Sequence, residues 1–274
     1  MTNDYTVKTL EEKARKIRRH VINMIYNAGS GHPGGSLSCV DIMTILYFHI
    51  MEHNPLDPKW KDRDRFILSK GHAAPSLYAT LAESGYFPIE ELSSLRKIGS
   101  MLQGHSDSRI PGVEVSSGSL GQGLSVASGI AYAGKLDKKD FKVYALLGDG
   151  ECDEGQIWEA AMFAHHYRLD NLVAIIDRNH FQIDGSTESI MSIEPFAKKW
   201  EAFGWYVIET NGNNIKKMTD ALERIKNIKD KPVAIIAHTI KGKGISFMEN
   251  NNAFHGKSPS KEEMEIALRE LSGD

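Results

Sequence analysis

Residues 148–185 read GDGECDEGQIWEAAMFAHHYRLDNLVAIIDRNHFQIDG. An apolar run, Val143–Leu147, leads into Gly148-Asp149-Gly150. A helical stretch follows, and then a second apolar run, Leu172–Ile176, leads to Asp177 and Asn179. Read as strand–helix–strand, this segment is a parallel crossover unit. It places Asp149 and Asn179 at the same edge of a sheet. Two oxygen ligands beside a helix N-terminus make a site for a divalent cation and a diphosphate. Asp149 is the expected direct cation ligand, with Asn179 and a backbone carbonyl near Phe181 adding oxygens. Mg²⁺ suits that hard donor set, and so does Ca²⁺. Gly148 and Gly150 let backbone approach phosphate. GDG alone favours a turn glycine with a helix-capping aspartate. The apolar run and DxN about 30 residues later make the cofactor reading the more specific one.

Outward from this segment the pattern continues. Leu10, Ala14, Ile17, Val21 and Ile25 follow the helical period, predicting a helix over Val7–Ala28 that Gly29 and Gly31 stop. Helices are also predicted over Leu37–Met51, Glu90–Lys97, Gln122–Lys135 and Ile215–Ile228. A capping box at Ser260–Glu263 opens a last one. Strands are predicted at Phe66–Leu68, Tyr206–Glu209 and Val233–Ala237. Gly99–Ser119 reads as a long loop, and loops of that length in a compact domain are usually functional or disordered. Alternating strands and helices predict an α/β, doubly wound, mainly parallel sheet flanked by helices. In such sheets ligands bind at the carboxyl ends of the strands. The expected organisation is a single domain over residues 1–274, with a helical N-terminal segment over 1–60.

Composition excludes several classes. The 274 residues are 41% apolar and 25% charged, with a net charge of −3. That balance gives no argument for nucleic acid or membrane binding. Cys39 and Cys152 form no disulfide framework and fit a reducing cytoplasm. The N-terminal stretch is charged throughout and lacks a signal-peptide core.

Four of the eleven histidines sit beside a glycine in a predicted turn or loop: His32 in SGHPGG, His72 in SKGHAAP, His105 in QGHSD and His255 in FHGK. Imidazole there can donate to phosphate, or polarise a carbonyl and move a proton near neutral pH. A lone loop histidine is usually plain surface; four in the same glycine setting shift that balance. His20, His49, His53, His165 and His166 are expected on helices, and His238 ends a strand. His180 follows Asn179 and is read as bland. Gly118-Ser119-Leu120-Gly121-Gln122-Gly123 turns into a helix but is neither a Walker loop nor a dinucleotide fingerprint. Lys70 and Lys241 lie in turns and could reach phosphate, although a solvated surface explains such lysines about as well.

Together these motifs resemble the transketolase family. SGHPGG, SKGHAAPSLYA, GHSD, SSGSLGQGLS, GDGECDEGQIWEA, IIDRNHFQIDG and TIKGKG with FHGK carry the resemblance, in order, along nearly the whole chain. GDG with its downstream asparagine is shared by thiamine-diphosphate enzymes at large; GHPGG, SKGHAA and GSLGQG are specific to this branch. The resemblance implies thiamine diphosphate and Mg²⁺ (or Ca²⁺) as cofactors. It implies Asp149, Asn179 and the Phe181 carbonyl as cation ligands, and Gly150, His72 and Lys241 at the diphosphate. Gly118, Ser119 and Leu120 would line the cofactor rings. His32, His105 and His255 would contact substrate and move protons. Glu154 matches a family acid at the subunit interface. The implied reaction is reversible transfer of a two-carbon ketol unit between sugar phosphates, with the cofactor as electron sink.

Full-length members of the family are much longer, and their pyrimidine-binding domain with its activating glutamate has no counterpart here. The expectation is the N-terminal subunit of a split transketolase. It would work with a C-terminal subunit, as a dimer of two-chain units, and be inactive alone. A non-catalytic cofactor-binding module and a related thiamine-diphosphate synthase acting on another sugar are the competing readings.

Overall fold

The computed structural model describes residues 6–272. The first five residues of the charged N-terminal stretch, and the last two of the expected 1–274 domain, lie outside the described residues. Helix α1 (Val7–Ala28) opens the fold, capped by Thr6 and ended by Gly29 in a left-handed conformation. Short helices α2 (Pro33–Ser38) and α3 (Val40–Ile45) follow. Strand β1 (Arg65–Leu68) then leads through a 3-10 turn into α4 (Ala74–Glu83). After a long irregular stretch come α5 (Gln122–Leu136), β2 (Val143–Gly148), α6 (Gly155–His166) and β3 (Leu172–Arg178). The chain continues with α7 (Thr187–Ile190), α8 (Phe196–Ala202), β4 (Tyr206–Asn211), α9 (Ile215–Arg224), β5 (Val233–His238) and α10 (Lys261–Glu270).

The five strands form one sheet in the order β1-β2-β3-β5-β4, with every neighbouring pair parallel. Side chains alternate across it, so each strand feeds two cores. Phe66, Leu68, Tyr144, Leu146, Val173 and Ile175 pack with α1, α3, α4 and α9 on one face. Ile67, Val143, Ala145, Leu147, Ala174 and Ile176 pack with α5, α6 and α8 on the other. β2 and β3 are buried at every position, which is why they read as unbroken apolar runs. β4 is the partly exposed edge strand. Each fully buried Leu, Ile or Val contributes on the order of 1.5–3 kcal/mol, so these two layers fix the strand register.

Four expectations are corrected. The helix expected over Leu37–Met51 breaks at Cys39, and its last turn is a π-helix, Leu46–Ile50. The break turns the Ser38 hydroxyl toward Asp177, 2.6 Å away. The helix expected over Glu90–Lys97 is a 3-10 turn, Ile89–Ser94, because Leu95 turns extended and Arg96 adopts a left-handed conformation. The helix expected over Ile215–Ile228 ends at Arg224 and tightens into a 3-10 turn, Ile225–Asn227. His53 lies beyond the helical residues and is held by the Tyr47 carbonyl and the Tyr86 hydroxyl. The N-terminal segment is helical in pieces as far as Ile50, followed by turns. No described helix is long and apolar enough to cross a membrane.

Candidate functional site

The carboxyl ends of β1, β2, β3 and β5 open into a cleft of about 290 Å³, with Lys70, His72, Asp149, Asn179, Lys241 and His255 in its lining. The loops carrying these residues start where buried strands run out of apolar partners, so their polar groups meet at one sheet edge.

Asp149 follows β2 and is 1% exposed. One carboxylate oxygen accepts the Gly150 amide at 2.9 Å; the other accepts the His180 amide at 2.6 Å and the Arg178 guanidinium at 3.1 Å. A carboxylate offers about four lone-pair positions, so three donors leave room for one more partner. Asn179 accepts the Phe181 amide at 3.1 Å through its side-chain oxygen, which keeps its second lone pair. This pair fits a hard cation that takes one oxygen from each residue. Among the described residues no group of three or more His, Cys, Asp or Glu side chains is placed to hold a metal alone. A cation bound here would therefore have to draw on amide and carbonyl oxygens and on its ligand's own. Burial raises the Asp149 pKa, as does the Asp177 charge, while Arg178 and the two amides oppose the rise.

Arg178 was not singled out by the sequence. Its guanidinium, 1% exposed, also binds Thr187 at 2.7 Å, Glu194 at 2.9 Å and Glu188. It thus ties the segment after β3 to Asp149. The backbone of His180 matters more than its ring, which is half exposed against Glu188 and His238.

Asp177 is a second missed residue. It is fully buried and accepts the Ser38 hydroxyl, the Lys70 ammonium and the Thr239 hydroxyl. Lys70 lines the cleft floor, yet its ammonium is held by Asp177 and by the Gly35 carbonyl at 2.9 Å. Lys241 is different. It is 2% exposed, pairs with no carboxylate among the described residues, and donates to Asn252 at 2.6 Å with His255 Nδ1 at 2.9 Å. Burial and the Lys70 charge bring its pKa down to about 8, so at neutral pH it remains mostly a cation.

The four glycine-flanked histidines converge. Ring centroids lie 5.4 Å apart for His32–His72, 5.6 Å for His32–His255, 5.6 Å for His72–His255 and 6.5 Å for His32–His105. Burial is the largest influence on each, followed by neighbouring positive charge. His32 and His255 fall to about 4, His72 falls well below its ordinary value, and His105 falls too. All four are neutral at pH 7, each with one donor and one acceptor nitrogen. His32 Nδ1 is buried without a hydrogen-bond partner among the described residues, as a site shaped for a ligand leaves it.

The glycine-rich turn divides. Leu120 lines the cleft, whereas Gly118 and Ser119 lie on its exposed rim, Gly118 packed near the His105 ring. A Cβ on Gly150 would stand 2.7 Å from the Gln182 Cβ, so glycine is required there by close packing. Gly148 meets nothing nearer than 3.7 Å; its contribution is an amide donated to Glu151 at 2.9 Å. Glu151 also accepts the Gly121 amide and the Ser69 hydroxyl, pinning the turn to β2. Glu154 is exposed at the cleft edge.

A family profile described as "Transketolase, thiamine diphosphate binding domain" matches residues 10–273. One of the subunits of an apulose-4-phosphate transketolase from Phocaeicola vulgatus is 47% identical over 266 residues, covering 97% of this chain and 95% of that one. A 6-deoxy-6-sulfo-D-fructose transketolase subunit from a Clostridium species is 47% identical over 96% of both chains. Rat transketolase is 44% identical over 97% of this chain, but the match spans 42% of the rat protein. The crystal structure of Campylobacter jejuni transketolase superposes with a TM-score of 0.92 at 35% identity, over 98% of this chain and 44% of that one. With its five-stranded parallel sheet and nearly its whole length matched, the chain belongs to the transketolase family and corresponds to the N-terminal, thiamine diphosphate-binding part of it.

Proposed function

We propose that this chain is the diphosphate-holding subunit of a two-chain transketolase that moves a two-carbon ketol unit between sugars. The observation that carries the proposal is a cluster of four neutral imidazoles, two of which, His72 and His255, line a cleft that also presents Asp149, Asn179 and Lys241 while His32 and His105 pack behind them. When bound, thiamine diphosphate with a divalent cation such as Mg²⁺ supplies the electron sink for carbon–carbon cleavage.

The chain's own residues do the rest. Asp149, Asn179 and the Phe181 carbonyl hold the cation, while Lys241, His72 and the Gly150 backbone meet the diphosphate. Gly118, Ser119 and Leu120 edge the space for the rings. His32, His105 and His255 donate hydrogen bonds to substrate oxygens and pass protons between them. Their neutral state suits this, since a neutral imidazole both donates and accepts.

The names of the 47%-identical relatives support a sugar bearing a phosphate or a sulfonate, and a complementary C-terminal subunit. Paired two-chain units in the cytoplasm complete the reading.

The test is co-purification with a candidate complementary chain, measuring thiamine diphosphate and Mg²⁺ binding and ketol transfer with and without it. Transfer is expected only from the complex. Robust transfer by this chain alone overturns the shared-site reading. Asp149→Ala should abolish cation-dependent cofactor binding in the complex; unchanged binding removes Asp149 from the cation's ligands.

A further inference from the structure

The geometry points to Arg96 as an oxyanion contact for the substrate, presented on this chain beside His105 and His32. The inference rests on the reading of the cleft just given.

Arg96 follows the 3-10 turn Ile89–Ser94 and holds a left-handed backbone, φ 61°. That conformation is costly for a non-glycine residue and persists where surrounding structure enforces it. Here the Arg96 amide donates to the Leu102 carbonyl at 2.7 Å, closing the intervening loop. The turn lays the side chain across Gly104. A Cβ at residue 104 would stand 2.8 Å from one terminal nitrogen of the guanidinium and 2.9 Å from its central carbon. The guanidinium is therefore seated on the residue next to His105, whose ring is 6.5 Å from that of His32.

The seat leaves the cation unmatched. Its Nε is buried without a partner, and its guanidinium makes no hydrogen bond or ion pair among the described residues. Arg18, Arg63 and Arg178 each hold a carboxylate. The Arg96 charge contributes, after burial, to lowering both His32 and His105, which agrees with its place beside them. A partly desolvated guanidinium without a counter-ion is costly, and a bidentate oxyanion satisfies it best.

Two substrate groups share that chemistry: the sugar's phosphate, and the carbonyl oxygen as it gains negative charge. They predict different kinetics. A phosphate contact appears mainly in KM; an oxygen that gains charge only during reaction appears mainly in kcat.

The test compares wild type, Arg96→Lys and Arg96→Gln, each assembled with the complementary subunit. Readouts are kcat and KM with a phosphorylated ketose and its unphosphorylated counterpart, thiamine diphosphate half-saturation, and the thermal midpoint. We expect Arg96→Gln to lose at least tenfold in kcat/KM while cofactor half-saturation and midpoint stay near wild type. Arg96→Lys should fall between. A loss confined to the phosphorylated sugar assigns the contact to phosphate; an equal loss in kcat for both sugars assigns it to the carbonyl oxygen.

A second measurement needs no activity. Inorganic phosphate titrated into the full chain should shift the His32 and His105 imidazole NMR signals saturably, and Arg96→Gln should weaken that response at least tenfold. The proposal is overturned if kcat/KM and the phosphate response both stay within twofold of wild type in Arg96→Gln. It is equally overturned if cofactor affinity and midpoint fall in step with activity while the phosphate response is unchanged, since that marks a structural role. Absence of thiamine diphosphate binding by the wild-type complex would instead defeat the functional reading, and the phosphate titration would still decide Arg96.

Discussion

Replacing Asp177 by asparagine isolates the buried charge on which the cleft floor rests. Asp177 is 0% and Lys70 1% exposed, and they are joined by a direct ion pair. Asparagine keeps the shape and lets the Ser38 and Thr239 hydroxyls find an acceptor. It removes the only carboxylate bonded to the Lys70 ammonium among the described residues, leaving the Gly35 carbonyl at 2.9 Å. Breaking a buried pair by removing one partner costs about 3–5 kcal/mol. For a chain of this size that lowers the thermal midpoint by about 6–20 °C. The assay is urea unfolding of the cofactor-free chain at pH 7, followed by far-ultraviolet circular dichroism. The double variant Lys70→Met/Asp177→Asn removes the stranded charge and should regain at least half of the loss, as replaced ion pairs commonly do.

The pH dependence gives an independent check. In wild type, burial pulls the Lys70 pKa down, but Asp177, with Cys39 and Asp149 adding to it, outweighs burial and the net shift is upward. The pair's contribution is therefore full below the unfolded lysine value and is lost as pH rises through the folded one. In Asp177→Asn the largest opposing influence is gone, leaving burial against only the weaker Cys39 and Asp149 contributions, and the Lys70 pKa should fall below its ordinary value. The unfolded chain then binds more protons than the folded one, and the variant gains stability from pH 7 toward 10. A loss under about 1 kcal/mol, a double variant no better than the sum of the singles, or a flat pH response would refute the reasoning.

Three further outcomes follow from the same geometry. Arg178→Met should free Glu188 and Glu194 and raise amide exchange across residues 187–194 at least tenfold by mass spectrometry, with β2 and β3 unaffected; equal protection would mean the guanidinium does not hold this segment. His32 and His255 sit at about 4 in the fold, below the roughly 6.5 of an unfolded histidine, so the unfolded chain binds more protons between those values. Their contribution is complete above about pH 6.5 and is lost as pH falls toward 4; the midpoint should drop over that window, and the His32→Gln/His255→Gln double variant should flatten the drop. Gly150→Ala should cost about 1–3 kcal/mol by crowding Gln182, whereas Gly148→Ala, with nothing nearer than 3.7 Å, should unfold close to wild type in the same urea experiment.

The sequence carried the layers and the site in unequal measure. β2 and β3 were legible because burial on both faces leaves an unbroken apolar run. The bounds of α1 and the capping box at Ser260 and Glu263 were legible because caps are local chemistry. Helices α7 and α8 were not anticipated: four and seven residues long, they are too short to show a period. The histidines were findable as a set from their glycine neighbours, although their convergence is a tertiary fact. Asp177 and Arg178 were missed for one reason. Their partners, Ser38, Lys70, Thr239 and Asp149, are distant in sequence, and no local pattern announces such pairing. A usable signal did exist: two charges that end the buried strand β3 must each find a counter-charge.

That counter-charge logic also orients the cleft. Two of its ion pairs are internally matched, Lys70 with Asp177 and Arg178 with Asp149. Glu151 is occupied by two backbone amides and a hydroxyl. Away from the exposed rim, where Asp153, Glu154 and Asp184 lie, what remains unmatched is positive: Lys241 on the β5 side, with only neutral partners, and Arg96 beside His105. The imidazoles between them stay neutral, since burial and these same cations disfavour a further positive charge. The cleft thus accepts anionic oxygens at separate places without filling with protons, and the proton-carrying groups lie between those places. Asp149, already matched by Arg178, can take a cation only if that cation brings negative charge with it. A diphosphate does so, which is the physical reason for expecting cation and diphosphate to bind together rather than in turn.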